Sequence, residues 1–169
     1  MVDRLWWTPA ESAIGELHFV SSEKGLCSIG LAKQEIPSQF GNSSLCCSKL
    51  HPTNRAAIEQ VKAYLAGELC VFFIEIDLRG TLFQLAVWHA AARIPYGKTA
   101  SYSNLAVKIG RPAAVRAVGQ AMGANPLLLV IPCHRVIGKD GSLTGFGGGI
   151  KLKRQLLYLE QQVIITNRQ

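Results

Sequence analysis

A thiol, an imidazole and a guanidinium follow one another at Cys133, His134 and Arg135, directly after Pro132. A cysteine attacks carbon as its thiolate, and a reference pKa of about 8.5 leaves only a few per cent ionised at neutral pH. Basic neighbours lower a thiol pKa, and His134 and Arg135 supply them. The order of residue types therefore predicts a nucleophilic cysteine, with a buried cysteine beside a surface histidine as the alternative.

A third group must orient the imidazole if His134 is to act as a base. Consecutive extended residues point to opposite faces, so His134 reaches Cys133 only where the chain turns, or through a water. Two acidic residues follow residue 80, Asp140 and Glu160. Glu160 belongs to an otherwise cationic and apolar helix, so it is the better candidate.

The segment that carries the cysteine is an almost wholly apolar run, residues 127–131. Such a run is typical of a buried strand. Pro132 favours an extended Ile131 and donates no backbone hydrogen bond. We therefore expect a strand that ends at Pro132, with Cys133 as the first residue of a turn.

The first eighty residues predict a small α+β lobe. Residues 15–32 show a hairpin pattern, and residues 37–48 form a polar loop that contains Cys46 and Cys47. Apolar residues recur at helical spacing after Asn54, a candidate N-cap, and Gly67 ends that helix. Residues 70–78 are rich in β-formers and add a strand to the hairpin. The expected lobe, residues 1–80, has a three-stranded antiparallel sheet and a helix.

Residues 81–169 predict a second, mainly helical lobe. Thr81 caps a helix that runs to about Ile94, and Ser101 caps a short helix that Gly110 ends. Pro112 begins the next helix, and residues 149–163 form the last one. The two short helices joined by a glycine-containing turn indicate a helix-turn-helix, winged-helix-like, that carries the cysteine. Similar helix pairs also occur in lobes that touch no nucleic acid.

Charge divides the chain unevenly. The net charge is +7, yet residues 1–80 hold seven basic and nine acidic residues, whereas residues 81–169 hold eleven basic and two acidic, which gives +9. A positive field confined to one lobe indicates a polyanion-binding surface, and solubility alone is the other explanation.

Composition narrows the class of protein further. Five cysteines cannot all pair internally, and none has the C-x-x-C spacing of a zinc site, so we expect free thiols and no metal. The sequence "GFGGG" lacks the dinucleotide fingerprint, so it does not predict a dinucleotide-binding loop. Neither a signal peptide nor a membrane-spanning run is apparent, and we expect a cytoplasmic protein.

Five stretches, in order, resemble the O6-alkylguanine-DNA alkyltransferases. They are "GTLFQLAVW" (80–88), "IPYGKTASYSNLA" (94–106), "RPAAVRAVGQAMGANP" (111–126), "IPCHRV" (131–136) and "GSLTGFGGG" (141–149), about half of the chain. The first eighty residues resemble the family only loosely. The resemblance implies direct-reversal DNA repair: the alkyl group passes from guanine O6, and also from O4-alkylthymine, to Cys133, once and without a cofactor.

The resemblance also implies roles for single residues. His134 would activate Cys133 through a water, Glu160 would orient His134, and Asn125 would hold the turn that carries the cysteine. Tyr102 would contact the flipped base, and Arg116 would fill the gap it leaves. The remaining contacts to base or DNA would come from Val136, Phe146, Gly147, Ser101 and position 115, which is Val115.

The implied partner is double-stranded DNA containing O6-alkylguanine, contacted in the minor groove. We expect a monomer in solution, and cooperative assembly on DNA stays open. Two other classes of protein remain: a non-catalytic DNA-binding module, such as a regulator or lesion sensor, and a thiol hydrolase using Cys133 and His134. A hydrolase turns over many times, whereas an alkyl acceptor cannot.

Overall fold

The computed structural model describes residues 4–32, 44–47 (backbone only) and 51–167. The chain divides into two compact units: residues 1–79 with 126–128, and residues 80–125 with 129–169. Among the described residues, no helix has the length and apolar character required to cross a membrane.

The first unit contains a four-stranded sheet. Its strands are β1 (Arg4–Ala10), β2 (Leu17–Ser22), β3 (Gly25–Leu31) and β4 (Ser44–Cys47), in the order β3-β2-β1-β4. β1, β2 and β3 pair antiparallel, which confirms the predicted three-stranded antiparallel sheet, and β4 adds a parallel partner to β1. β4 lies inside the segment predicted as a loop, because four residues in a Ser-rich stretch are too few to show a strand pattern.

The third antiparallel strand is β1, so its assignment to residues 70–78 was wrong. That segment forms no strand, and it joins the sheet only through a parallel bridge between Ile76 and Leu26. The backbone of Phe73 is satisfied elsewhere: its N–H donates to Gln60 Oε1 at 2.7 Å, and Gln60 Nε2 donates to its carbonyl at 3.0 Å. One side-chain amide thus takes the place of a neighbouring strand.

Helix α1 (Pro52–Leu65) begins three residues earlier than predicted. His51 is its N-cap residue and Pro52 occupies the first helical position, where proline is well tolerated. Asn54 is therefore inside the helix and fully buried, with Nδ2 donating to Thr8 Oγ1 at 2.9 Å and to the Trp6 carbonyl at 3.0 Å. A residue predicted as a cap instead ties α1 to β1.

The second unit contains four helices among its described residues: α2 (Leu82–Ala92), α3 (Tyr102–Lys108), α4 (Val115–Gly123) and α5 (Ile150–Thr166). Capping boxes at Thr81 with Gln84 and at Ser101 with Asn104 confirm both predicted N-caps. A two-residue parallel pair joins β5 (Ala100–Ser101) to β6 (Val136–Ile137). Helices α2 and α4 pack together, and Trp88 Nε1 donates to the Ala121 carbonyl at 2.8 Å.

The turn between α3 and α4 is longer than predicted. Gly110 has φ +69°, and the N–H groups of Gly110 and Arg111 donate back to the carbonyls of Val107 and Ala106, the pattern of a Schellman C-cap. Pro112 lies in the connecting turn and α4 begins only at Val115. The glycine lets the chain reverse direction tightly, so that α3 and α4 pack against each other.

Candidate active site

The apolar run before Cys133 is a buried turn, so the predicted strand over residues 127–131 was wrong. Leu129 has φ 71°, the left-handed region, which no regular strand contains. Asn125 Nδ2 donates to the Ile131 carbonyl at 2.9 Å and thereby closes this turn. The run is apolar because its residues are buried, which periodicity alone cannot distinguish from a strand.

Cys133 begins a 3-10 turn, Cys133–Arg135. Its thiol is buried, and burial raises its pKa because the thiolate is poorly solvated there. A hydrogen bond from Asn125, the positive charge of Lys153 and the backbone N–H groups of Cys133 and His134 act in the opposite direction. These groups, from the turn and from residues outside it, therefore favour the thiolate form of Cys133.

His134 and Glu160 are paired and have no exposed surface. His134 Nε2 lies 2.8 Å from Glu160 Oε1. Burial lowers the pKa of His134, against the opposing effect of the Glu160 carboxylate. A carboxylate only accepts, so the neutral ring carries its hydrogen on Nε2 and Nδ1 is the basic nitrogen. Glu160 thus sets the orientation and the tautomer of the His134 imidazole, which can then accept a proton at Nδ1.

Three further groups hold the Glu160 carboxylate. Arg135 Nη2 lies 2.9 Å from Oε1, and Arg135 Nε donates to both oxygens, at 3.0 and 3.1 Å. The Gly97 N–H donates to Oε2 at 2.7 Å. Arg135 also donates from Nη1 to the Ile94 carbonyl at 2.7 Å and lies over the Tyr96 ring. The buried carboxylate of Glu160 is thus paired with the positive charge of Arg135 and with hydrogen bonds, which a buried charge requires.

Lys153 lies in the candidate site, and sequence reasoning missed it. It is fully buried, and its Nζ donates to the carbonyls of Val136 at 2.5 Å and Thr144 at 2.7 Å. Burial lowers its pKa, while the negative charge of Cys133 acts to raise it. One signal was available: Lys153 and Glu160 are seven residues apart, which places both on one face of α5.

The residues expected to contact the base lie around this cluster. Tyr102 begins α3, donates from its hydroxyl to the Thr144 carbonyl at 2.9 Å, and has a pKa raised first by burial and then by the Cys133 charge. Val136 is buried, and its N–H donates to the Cys133 carbonyl. Phe146 is half-buried and Gly147 exposed.

The other predicted contacts lie elsewhere in the same unit. Arg116 is exposed in the first turn of α4, because that helix begins at Val115 and not at Pro112 as predicted, and Val115 is half-buried. Ser101 is engaged as the α3 cap, with Oγ accepting from the Asn104 N–H at 3.0 Å. Lys153 has its Nζ 5.9 Å from the centre of the Tyr102 ring.

The assembled site can perform a thiol displacement. It combines a buried nucleophile with donors around the sulfur and a neutral imidazole whose tautomer is set by a carboxylate. A glycine-rich wall, residues 145–149, lies beside Tyr102. In the described residues, no three His, Cys, Asp or Glu side chains are grouped so that they could hold a metal ion.

Comparison with known proteins agrees with this arrangement. Residues 82–162 match the family described as 6-O-methylguanine DNA methyltransferase, DNA binding domain. A methylated-DNA--protein-cysteine methyltransferase of Mycobacterium tuberculosis is 58% identical over 105 residues, which cover 62% of this chain and 64% of that protein. An inducible enzyme of the same name from Bacillus subtilis is 43% identical over 164 residues, 94% of this chain and 91% of its own length.

A solved structure gives the same result for the fold. The crystal structure of OGT from Mycobacterium tuberculosis in complex with DNA superposes with a TM-score of 0.84 at 42% identity and covers 94% of each chain. This likeness confirms the predicted α+β class with a mainly helical C-terminal part. The winged-helix detail stays a prediction.

Proposed function

This chain belongs to the methylated-DNA--protein-cysteine methyltransferase family, and we propose that it repairs DNA by moving the alkyl group of O6-alkylguanine irreversibly to Cys133. The observation that carries the proposal is the buried Cys133 thiol at the start of a turn whose next residue, His134, is bound to Glu160. O4-alkylthymine is proposed as a second substrate.

The proposed reaction is one displacement. Nδ1 of His134 takes the thiol proton of Cys133, through a water, and the Glu160 carboxylate stabilises the imidazolium that forms. The sulfur then attacks the alkyl carbon, the S–C bond forms, and the C–O6 bond breaks with its electron pair left on guanine. Guanine takes up one proton in return. The thioether has no ionisable hydrogen, so each molecule reacts once.

The proposed path to the base requires extrusion from the duplex, because a stacked guanine cannot present O6 to a buried sulfur. Tyr102 and the Phe146–Gly147 wall would contact the flipped base, with the backbone carbonyls of Cys133 and Val136. Arg116 would fill the gap in the stack. Ser101 and Val115 would contact DNA at the ends of α3 and α4.

The division of labour between the units is part of the proposal. Residues 81–169 would bind duplex DNA through the minor groove and transfer the alkyl group, and residues 1–80 would form a supporting lobe. We propose a monomer in solution. Cys27, Cys70 and Cys133 are all free thiols, and a reactive thiol needs a reducing compartment, which supports the cytoplasm as its location.

The test is transfer of label. The protein is incubated with a duplex carrying radiolabelled O6-methylguanine, digested, and its peptides are sequenced. We expect one equivalent of label on Cys133 and none on Cys133→Ala, which should still bind the duplex. Label-free protein that binds DNA would favour the non-catalytic module, repeated turnover would favour the hydrolase, and label on Cys133→Ala would overturn the assignment.

A further inference from the structure

Two consecutive residues of α5 bind the same glycine. The Gly97 N–H donates to Glu160 Oε2 at 2.7 Å, and Gln161 Nε2 donates to the Gly97 carbonyl at 2.7 Å. Gly97 lies in the turn after α2, which the Lys98 N–H closes on the Pro95 carbonyl at 3.1 Å. Both backbone polar groups of one residue are therefore held by α5.

Gly97 is also confined by space. Its φ is +68°, and a Cβ at this position would lie 2.0 Å from Ile164 Cδ1. At Gly97 the turn thus packs on α5 with backbone alone, and the Gly97 carbonyl accepts its hydrogen bond from the Gln161 side chain. Gln161 lies at the surface, so burial does not account for the contact.

The position of Gly97 matters because its N–H holds one of the two oxygens of Glu160. Oε1 lies against His134 and Arg135 Nη2, Oε2 accepts from the Gly97 N–H, and Arg135 Nε donates to both. If the turn moved, the carboxylate could rotate and its alignment with the imidazole would be lost. The turn is held at its start by Arg135 through the Ile94 carbonyl and at its apex by α5.

We propose that Gln161 is a positioning residue for the relay formed by Glu160, His134 and Cys133: by holding the Gly97 carbonyl it fixes the N–H that aligns Glu160 with His134. This inference rests on the proposed function, because the relay serves Cys133. Gln161 contacts neither the Cys133 thiol nor the His134 imidazole, and its effect passes through the Gly97 backbone. The charged and titratable groups that face the relay are Arg135 beside Glu160, Lys153 on α5 and Tyr102 on α3.

The experiment compares Gln161→Met and Gln161→Glu, which keep the length of the side chain and remove its donor, with Gln162→Met as the control on the same exposed helix end. Two rates are measured on the full chain: single-turnover methyl transfer from duplex DNA, and labelling of Cys133 by iodoacetamide across pH, read by peptide mass spectrometry. Cys70 in the same molecule reports general changes in reactivity.

Both Gln161 variants should lose about fivefold in both rates at neutral pH, the effect of one hydrogen bond. Their Cys133 labelling profiles should shift to higher pH and meet the wild-type rate in alkali, where the thiol ionises without a base. Gln162→Met and all Cys70 rates should stay unchanged. A purely structural effect would lower the rate at every pH.

The proposal is overturned if either Gln161 variant keeps the wild-type profile, or if its deficit persists in alkali. The two ideas fail separately. Wild-type protein that accepts no methyl group contradicts the proposed function, while the iodoacetamide profiles still decide whether Gln161 tunes the relay.

Discussion

Lys153 Nζ lies 2.5 Å from the Val136 carbonyl oxygen, and no part of Lys153 is exposed. Lysine is seldom fully buried unless its charge is compensated. Here two carbonyls, those of Val136 and Thr144, accept from the ammonium, and the Cys133 thiolate interacts favourably with its charge. The lysine therefore links the segment after the cysteine to the glycine-rich wall and lowers the cost of ionising the thiol.

Replacing Lys153 by methionine should make Cys133 less ionised. Lys153→Met keeps the length of the side chain but removes the charge that lowers the Cys133 pKa, so the thiolate fraction at pH 7 should fall several-fold. Thiolate absorbance at 240 nm, titrated against a Cys133→Ser background, measures this directly. Lys151→Met removes the same charge from an exposed position of α5 and should leave the titration unchanged. Coincident curves for all three proteins would show that Lys153 does not act on the thiol.

Acid should destabilise the fold through His134. Burial lowers its pKa below the ordinary value of 6.5, so below about pH 6.5 the unfolded chain binds a proton that the folded chain does not. The free energy of unfolding should then fall with decreasing pH, by up to about 1.4 kcal/mol per unit for one such histidine, until the folded pKa is reached.

Urea unfolding at a series of pH values checks this dependence. His134→Gln, whose amide can still donate to Glu160, should show a shallower slope below pH 6.5 than the wild type. His51 also has a pKa lowered by burial, so His51→Gln should remove a separate part of the pH dependence of the free energy of unfolding. Parallel slopes for the wild type and His134→Gln would contradict the prediction.

Much of the site could be predicted, because some residues follow from local sequence patterns and others from the small number of candidates of the right type. The pairing of His134 with Glu160 followed from the small number of acids in the second half of the chain, and the structure places them 2.8 Å apart. The N-caps at Thr81 and Ser101 followed from residue types next to apolar helical patterns, and both capping boxes are present.

The features that the sequence did not predict depend on burial and on contacts between residues distant in the chain. A run that is buried on every side shows no period, so the turn at Leu129 was taken for a strand. The burial of Lys153 does not follow from its residue type, because lysine usually lies at the surface. The bond between Gln161 and Gly97 joins residues 64 positions apart, which no local pattern indicates.

Arg116 should matter for duplex DNA and not for the chemistry. It is exposed at the start of α4, where a long cation can enter the base stack. Arg116→Ala should slow repair of duplex O6-methylguanine about tenfold or more, since extrusion costs a few kcal/mol. Reaction with free O6-benzylguanine should be unchanged. Arg93→Ala, which removes an exposed arginine from the same unit, is the control, and equal losses on both substrates would assign Arg116 to chemistry or folding.

We expect exposed cations of the second unit to set the salt dependence of DNA binding. Arg135 and Lys153 are buried within the site and cannot face phosphates. The exposed basic residues among the described positions of this unit are Arg93, Lys98, Lys108, Arg111, Arg116, Lys139, Lys151 and Arg154. They lie on several elements, so one DNA duplex contacts only some of them.

Roughly three to six phosphate contacts would give a slope of log affinity against log salt of about −3 to −5, because each contact releases about one counterion. An undamaged fluorescent duplex, titrated with Cys133→Ser across a salt series, measures the slope. Arg111→Gln, in the turn between α3 and α4, should reduce the slope by about one, whereas Lys62→Gln in the first unit should not.

The affinity for DNA should vary little with base sequence, because the Ala- and Gly-rich α4 offers few side chains that read base edges. A flat salt response would leave solubility as the explanation of the charge asymmetry, and a strong preference for one sequence would favour a regulator.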